Sequence, residues 1–142
     1  MALATRHIAA LESSLEETYD WLNRITLELD DDDPHLALAV LRAVLHAVRA
    51  YLTVEQSAHL SAQLPTLIRG LYFEEWTPDA PSPGRSVEAF LMWIEAHLKG
   101  YEDRCGAADA ARAVFAVLEE SISGGAEKIK LTLPKPIREL WL

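Results

Sequence analysis

The sequence predicts an all-α fold, a single domain of two helical repeats, of about four helices each, packed around a shared core. Apolar residues recur at spacings of three, four and seven along most of the 142-residue chain, which is the period of an amphipathic helix. The pattern Leu-Pro-x-x-Ile-Arg occurs twice, at 64–69 and at 133–138. A repeat period close to half the chain is typical of two copies of one structural unit.

The first repeat spans about residues 17–76 and opens with a long helix that ends at the aspartate run 30–33. Asp33 is a natural N-cap for a second helix, with Pro34 at its first position. Thr53 predicts the start of a third helix, because Gln56 stands three residues later as in a capping box. The stripe of the first helix consists of Ile8, Leu11, Leu15, Leu22, Ile25 and Leu29.

Two further features of this half mark helix boundaries. Ser13 and Ser14, followed by Glu17, resemble a second capping box, so the first helix is expected to begin or break there. Pro65 ends the third helix and opens a fourth, which is expected to run to about Trp76.

A connector rich in proline, residues 77–85, leads to the second repeat at about 86–142. Ser86 caps a fifth helix that is expected to stop near Gly100, and a sixth helix covers roughly 105–121. The turn Ser123-Gly124-Gly125 precedes a seventh helix. The segment 129–133 alternates like a strand, but its counterpart in the first repeat favours a helix.

The last short helix is expected to reach Trp141. The repeat places Leu140 and Trp141 at the positions that Leu71 and Tyr72 hold in the first half. We therefore expect the end of the chain to be packed into the core.

The charge balance limits the partners of the chain. It carries 22 acidic against 13 basic residues, a net charge of −9, which disfavours nucleic acid and anionic membranes. Residues 53–76 could be drawn as a helix-turn-helix, but Glu74 and Glu75 would face the phosphates. A single cysteine, Cys105, allows no internal disulfide. With no apolar segment of signal or membrane-spanning length, we expect a cytoplasmic protein.

The motifs of catalysis and metal binding are missing from the sequence. The five histidines form no ligand pair at helical spacing. The run 30–33 lacks the glycine and the distal glutamate of a calcium loop. No glycine-rich phosphate loop occurs. The sequence therefore predicts no catalytic residue, no metal site and no cofactor.

One cluster of cations offers a candidate ligand site. Arg42, His46 and Arg49 share a face of the second helix, and Arg69 follows in the next structural unit. They could bind a phosphate or a carboxylate of a ligand. The 22 acidic residues favour the other interpretation, in which these cations form ion pairs with acids of neighbouring helices such as Glu55 or Glu74.

The central third of the chain resembles a known bacterial family. The segments Leu-Arg-Ala-Val-Leu-His-Ala-Val-Arg at 41–49 and Ala-Gln-Leu-Pro-Thr-Leu-Ile-Arg-Gly-Leu-Tyr at 62–72, with Trp76, are similar to domain-of-unknown-function family 2267. The resemblance extends from Trp21 to Trp141. It implies a small, all-helical, cytoplasmic bacterial protein and indicates no activity, catalytic residue or ligand.

The function that these observations favour is a non-catalytic protein-interaction or regulatory module. Its partner is expected to be locally basic, because acids are massed at 30–33 and at Glu74 and Glu75. The alternative is a small-anion-binding protein or enzyme that uses the Arg42, His46 and Arg49 face. The sequence does not predict the oligomeric state.

Overall fold

The computed structural model describes residues 7–78, 80–122 and 124–141, and every regular element in these ranges is helical. The all-α prediction is confirmed, and most of the alternating segment 129–133 is helix. Eight α-helices and a final 3-10 helix follow in order: α1 Ala9–Leu29, α2 Pro34–Arg49, α3 Val54–Ser61, α4 Thr66–Tyr72, α5 Val87–Ala96, α6 Ala107–Ser121, α7 Gly125–Thr132, α8 Lys135–Arg138 and the 3-10 helix Glu139–Trp141.

The core is built around α2 and α6, which pack against each other. Each contributes many buried apolar side chains to the core, several of them alanines. α1 packs against both helices and against α4, and α5 packs against both from another direction. None of the described helices is long and apolar enough to cross a membrane.

Local hydrogen bonds set the predicted helix starts. The Asp33 carboxylate accepts a hydrogen bond from the backbone N–H of His35 at 2.9 Å. Thr53 and Gln56 form a full capping box before α3. The hydroxyl of Ser86 accepts from the N–H of Ala89 at 3.1 Å, at the start of α5. These three starts follow the sequence prediction because each cap depends on residues two or three positions apart.

The expected break at Ser13 and Ser14 is wrong. α1 is continuous through both residues. The Ser14 hydroxyl donates to the carbonyl of Ala10 at 3.0 Å, which satisfies it inside a helix instead of at a cap.

Two helices end earlier than predicted. α4 stops at Tyr72 and not near Trp76, and Glu75 takes a left-handed backbone with φ of 53°. α5 stops at Ala96, and Gly100 follows in the next turn with φ of 90°. The predicted start of α6 is also two residues early, because Gly106 holds the N-cap position.

The chain end is packed as expected. Leu140 and Trp141 are buried, and the indole of Trp141 stacks on the ring of Phe115 with centroids 4.2 Å apart. Its Nε1–H donates to the Glu119 carboxylate at 2.8 Å. Three positions within predicted segments lie outside the described residues: Asp79 in the connector, Ser123 in the turn and Leu142.

Candidate functional site

Three of the four predicted site residues lie together on α2, where they face the C-terminal end of α4. The imidazole of His46 is buried, and its Nε2–H donates to the Leu71 carbonyl at 2.7 Å. The Arg49 guanidinium donates to the Tyr72 carbonyl. Both acceptors belong to the last turn of α4, whose carbonyls lie beyond the regular hydrogen bonds of the helix, although the Leu71 carbonyl also accepts from the N–H of Glu74 at 3.3 Å. The positive charge of Arg49 beside this helix C-terminus also interacts favourably with the helix dipole.

The acid that pairs with this face is Glu74. The Arg42 Nε–H donates to a Glu74 carboxylate oxygen at 2.9 Å, and both side chains are partly exposed. An exposed pair of this kind contributes at most about 1 kcal/mol. This contact agrees with the interpretation in which the cations of α2 form ion pairs with neighbouring acids.

Burial changes the protonation of His46. It lowers the pKa of His46 below the ordinary 6.5, and the charges of Arg49 and Arg42 act in the same direction. The hydrogen bond to Leu71 and the charge of Glu74 oppose this shift. A neutral imidazole with its proton on Nε2 makes the hydrogen bond to Leu71 without placing a charge in a buried site.

Arg69 lies apart from the other three. Its Nε–H donates to the Ser61 carbonyl at 2.9 Å, and a terminal nitrogen approaches the carbonyls of Ala62 and Leu64 at 3.4 Å. Arg69 therefore satisfies the end of α3. The structure brings together three of the predicted site residues and places the fourth, Arg69, at the connection between α3 and α4.

The space beside His46 and Arg49 is small. A hollow of about 130 Å³ lies there, with Trp76 and Trp93 in its wall. Small-molecule sites usually enclose roughly 300–1,000 Å³. An anion here would also have to compete with carbonyls that already hold the donors of His46 and Arg49.

The aspartate run is partly neutralised by an arginine from the second half of the chain. Arg104 donates to Asp31 at 3.0 Å and to Asp33 at 2.7 Å. The Arg104 hydrogen bond, together with the N–H of His35, lowers the pKa of Asp33 to about 2. Two of the four carboxylates expected to attract a partner thus belong to an internal ion pair.

A metal ion requires several ligand side chains that converge on one point. Nowhere in the part of the chain that the structure describes do three or more His, Cys, Asp or Glu side chains converge as metal ligands would. Cys105 is buried, and burial raises the pKa of its thiol. A thiol that is harder to ionise is a poorer nucleophile.

The apolar stripe of α1 is exposed over its first half, which the sequence reasoning missed. Leu22 and Ile25 are 5% and 0% exposed, whereas Ile8, Leu11 and Leu15 on the same stripe are 59%, 61% and 44% exposed. We call residues 8–20 the α1 overhang. α1 has 21 residues, a length of about 32 Å, so it outreaches the shorter helices beneath it.

Four carboxylates flank the stripe on the overhang. Glu12, Glu16, Glu17 and Asp20 lie there, and residues 9–20 contain no lysine or arginine. Glu12 contacts His7 and Asp20 contacts Arg24. Glu16 and Glu17 enter none of the ion pairs found among the described residues. The overhang therefore combines an unpaired apolar stripe with negative charge.

A groove of about 480 Å³ lies between α3 and α7, a second feature absent from the sequence prediction. Its floor is apolar and its rim carries amide, imidazole and ammonium groups. The residues that line it are Leu52, Gln56, His59, Leu60, Gln63, Gly124, Gly125, Lys128, Ile129, Leu131 and Thr132.

A family model described as uncharacterized conserved protein, DUF2267, matches residues 18–140. The chain belongs to the DUF2267 family. The resemblance that the sequence motifs indicate is thereby confirmed. A comparison with curated proteins found no match. The DUF2267 match contains the α2 face and the α3–α7 groove, while Ile8, Leu11 and Leu15 precede it.

Proposed function

We propose that this protein is a non-catalytic interaction module whose α1 overhang binds a basic amphipathic segment of a partner protein. One observation carries the proposal: the stripe that forms core at Leu22 and Ile25 continues into solvent at Leu11 and Leu15. A core-forming face that remains largely exposed is suited to a partner that completes the packing.

Charge favours a basic partner over a second copy of the chain. Residues 9–20 carry four carboxylates and no lysine or arginine. Two overhangs in contact would bring like charges together, which is unfavourable at close range. A segment with lysine or arginine beside its apolar residues would meet both the stripe and the flanking acids.

The expected affinity is modest. Complete burial of one Leu or Ile side chain is worth about 1.5–3 kcal/mol, and association itself costs at least about 4 kcal/mol. Three partly exposed side chains therefore give little net binding alone. The carboxylates must contribute, so we expect micromolar affinity at best and a clear dependence on salt.

The test uses three synthetic helical peptides with a fluorescent label and identical leucine content. The first carries lysines around a leucine stripe, the second carries glutamates in their place, and the third has the first composition in scrambled order. Fluorescence anisotropy should show that the first peptide binds best. Its binding should weaken as ionic strength rises from about 0.01 M to about 0.15 M. Equal binding of the ordered and scrambled basic peptides would contradict the proposal.

The alternative, binding of a small anion by Arg42, His46 and Arg49, has less support. His46 and Arg49 donate to carbonyls of α4, and Arg42 contacts Glu74. An anion retained by the purified protein and lost in an Arg42→Ala variant would favour this alternative.

We also infer that the two halves are diverged copies within a single domain, joined by the connector 77–85. Support comes from the matching helix connections α3–α4 and α7–α8. Pro65 and Pro134 are the N-cap residues of α4 and α8. Arg69 and Arg138 each donate to the carbonyl five residues earlier, that of Leu64 and that of Leu133.

A further inference from the structure

The α3–α7 groove has the size and polarity of a small-molecule site. Its volume of about 480 Å³ lies within the roughly 300–1,000 Å³ usual for such sites. Leu60 and Ile129 in its lining are buried, Leu52 is half-buried and Leu131 is exposed. An apolar body placed here would cover leucine and isoleucine surface that water now reaches.

The rim of the groove departs from the charge of the whole protein. The chain has 22 acidic residues, yet none of the described residues that line the groove is an aspartate or a glutamate. Lys128 is the permanently charged residue among them, and His59 lies across from it on α3. Glu55 lies 3.8 Å from His59 and does not line the groove. The local field therefore favours an anionic group.

The two walls of the groove are held in place. Gln56 on α3 donates to the hydroxyl of Thr132 on α7 at 3.1 Å. At the other end, a Cβ on Gly125 would meet the Gln63 amide at 2.6 Å and Ile122 at 2.4 Å. A larger residue at position 125 would therefore displace the Gln63 or Ile122 side chain. A preformed groove costs a ligand less ordering than one that must open.

We propose that the α3–α7 groove binds a small amphipathic carboxylate, with its apolar chain over Leu60, Ile129 and Leu131 and its carboxylate beside Lys128. The proposal does not depend on the α1 overhang, because no overhang residue lines the groove. The class includes aliphatic and aromatic monocarboxylates. The chain length that fits is an outcome of the experiment.

The first measurement compares two probes with one chain and opposite charge, octanoate and octylammonium. Each is titrated into isotopically labelled protein, and amide chemical shifts are followed. Octanoate should shift the amides of Gly125, Lys128 and Ile129 in a saturable way. Octylammonium should shift them less and with a larger dissociation constant. No saturable shift with octanoate, or equal binding of the two probes at these amides, would overturn the proposal.

The second measurement uses matched variants. Lys128→Met should weaken octanoate binding on the order of fivefold, the upper range for an exposed ion pair, without weakening octylammonium binding. Lys99→Met makes the same charge change at an exposed residue away from the groove and should have no such effect. Leu131→Asn should weaken octanoate binding, whereas Met92→Asn, at an equally exposed apolar position on α5, should not. Equal losses within either pair would overturn the proposal.

Discussion

At the scale of single residues, His46 is the side chain whose environment has the clearest measurable consequence. It is buried on α2 and donates to the Leu71 carbonyl of α4. Because its pKa is lowered below 6.5 in the folded protein, the unfolded chain binds the proton more readily. The contribution of His46 to the free energy of unfolding is therefore fully present above pH 6.5 and decreases as the pH falls below that value.

The corresponding variant is His46→Gln, whose amide can donate to the same carbonyl and does not titrate. Urea unfolding of both proteins on either side of pH 6.5 gives the test. The difference between the two free energies of unfolding should change with pH, and the wild type should lose more stability on acidification. A constant difference would contradict the assignment of a buried, neutral His46.

Trp141 provides the second prediction at this scale. Trp141→Ala should lower the free energy of unfolding by about 3–5 kcal/mol, because the indole fills a buried site against Phe115. Trp141→Phe keeps an aromatic ring but loses the hydrogen bond to Glu119, so it should cost less than the alanine variant. Met92→Ala, on an exposed surface of α5, is the control. An unchanged denaturation midpoint for Trp141→Ala would show that the chain end contributes no packing.

The residues that the sequence could predict are those whose partners lie nearby in the chain. The caps at Asp33, Thr53 and Ser86 follow from neighbours two or three positions away. The partners of His46 and Arg49 are backbone carbonyls, which every residue type possesses. No side-chain pattern could identify those acceptors. The contact of Arg104 with the aspartate run likewise depends on tertiary packing.

At the scale of helices, periodicity predicts which face of a helix is apolar but not how much of that face is covered. The stripe of α1 has one period from Ile8 to Leu29, and the sequence gives Leu11 and Leu22 the same role. The structure buries only the second of them. The difference arises because α1 extends past the helices it packs on. The groove between α3 and α7 was unpredictable for the same reason, since it depends on how two short helices are placed.

Arg69 and Arg138 occupy equivalent positions in the two halves, which gives a prediction for the connections between helices. Arg69→Met and Arg138→Met should both destabilise the protein, because each arginine satisfies carbonyls at the end of a preceding helix. Arg69 should matter more, since it reaches three carbonyls, while Arg138 reaches one and its buried Nε–H finds no partner in the described structure. Losing such hydrogen bonds costs about 0.5–1.5 kcal/mol each.

The control for this comparison is Arg112→Met, because Arg112 is exposed and approaches only Asp109 at 3.9 Å in the described structure. That pair should contribute almost nothing. Thermal unfolding of the three variants measures the difference. An Arg138→Met variant as stable as the control would remove one of the two supports for the repeat.

At the scale of the whole molecule, the charge of −9 is unevenly compensated. Asp31 and Asp33 contact Arg104, and Glu119 contacts Lys130. Within the described chain, Glu16 and Glu17 have no such contact. Some of the acidic residues that the sequence analysis assigned to partner binding thus take part in ion pairs within the protein. In the α1 overhang, negative charge adjoins exposed apolar side chains of the stripe.

The proposal that the overhang binds a partner is tested most directly by two substitutions in the same helix. Leu11→Asp and Leu27→Asp add the same charge at exposed leucines, 61% and 80% exposed, but only Leu11 lies on the stripe. Leu11→Asp should weaken binding of the basic amphipathic peptide on the order of fivefold to tenfold, because complete burial of a leucine is worth about 1.5–3 kcal/mol and 61% of Leu11 is left to bury. Leu27→Asp should bind as the wild type does. Equal affinities of the two variants would contradict the account, because the peptide would then be responding to net charge alone.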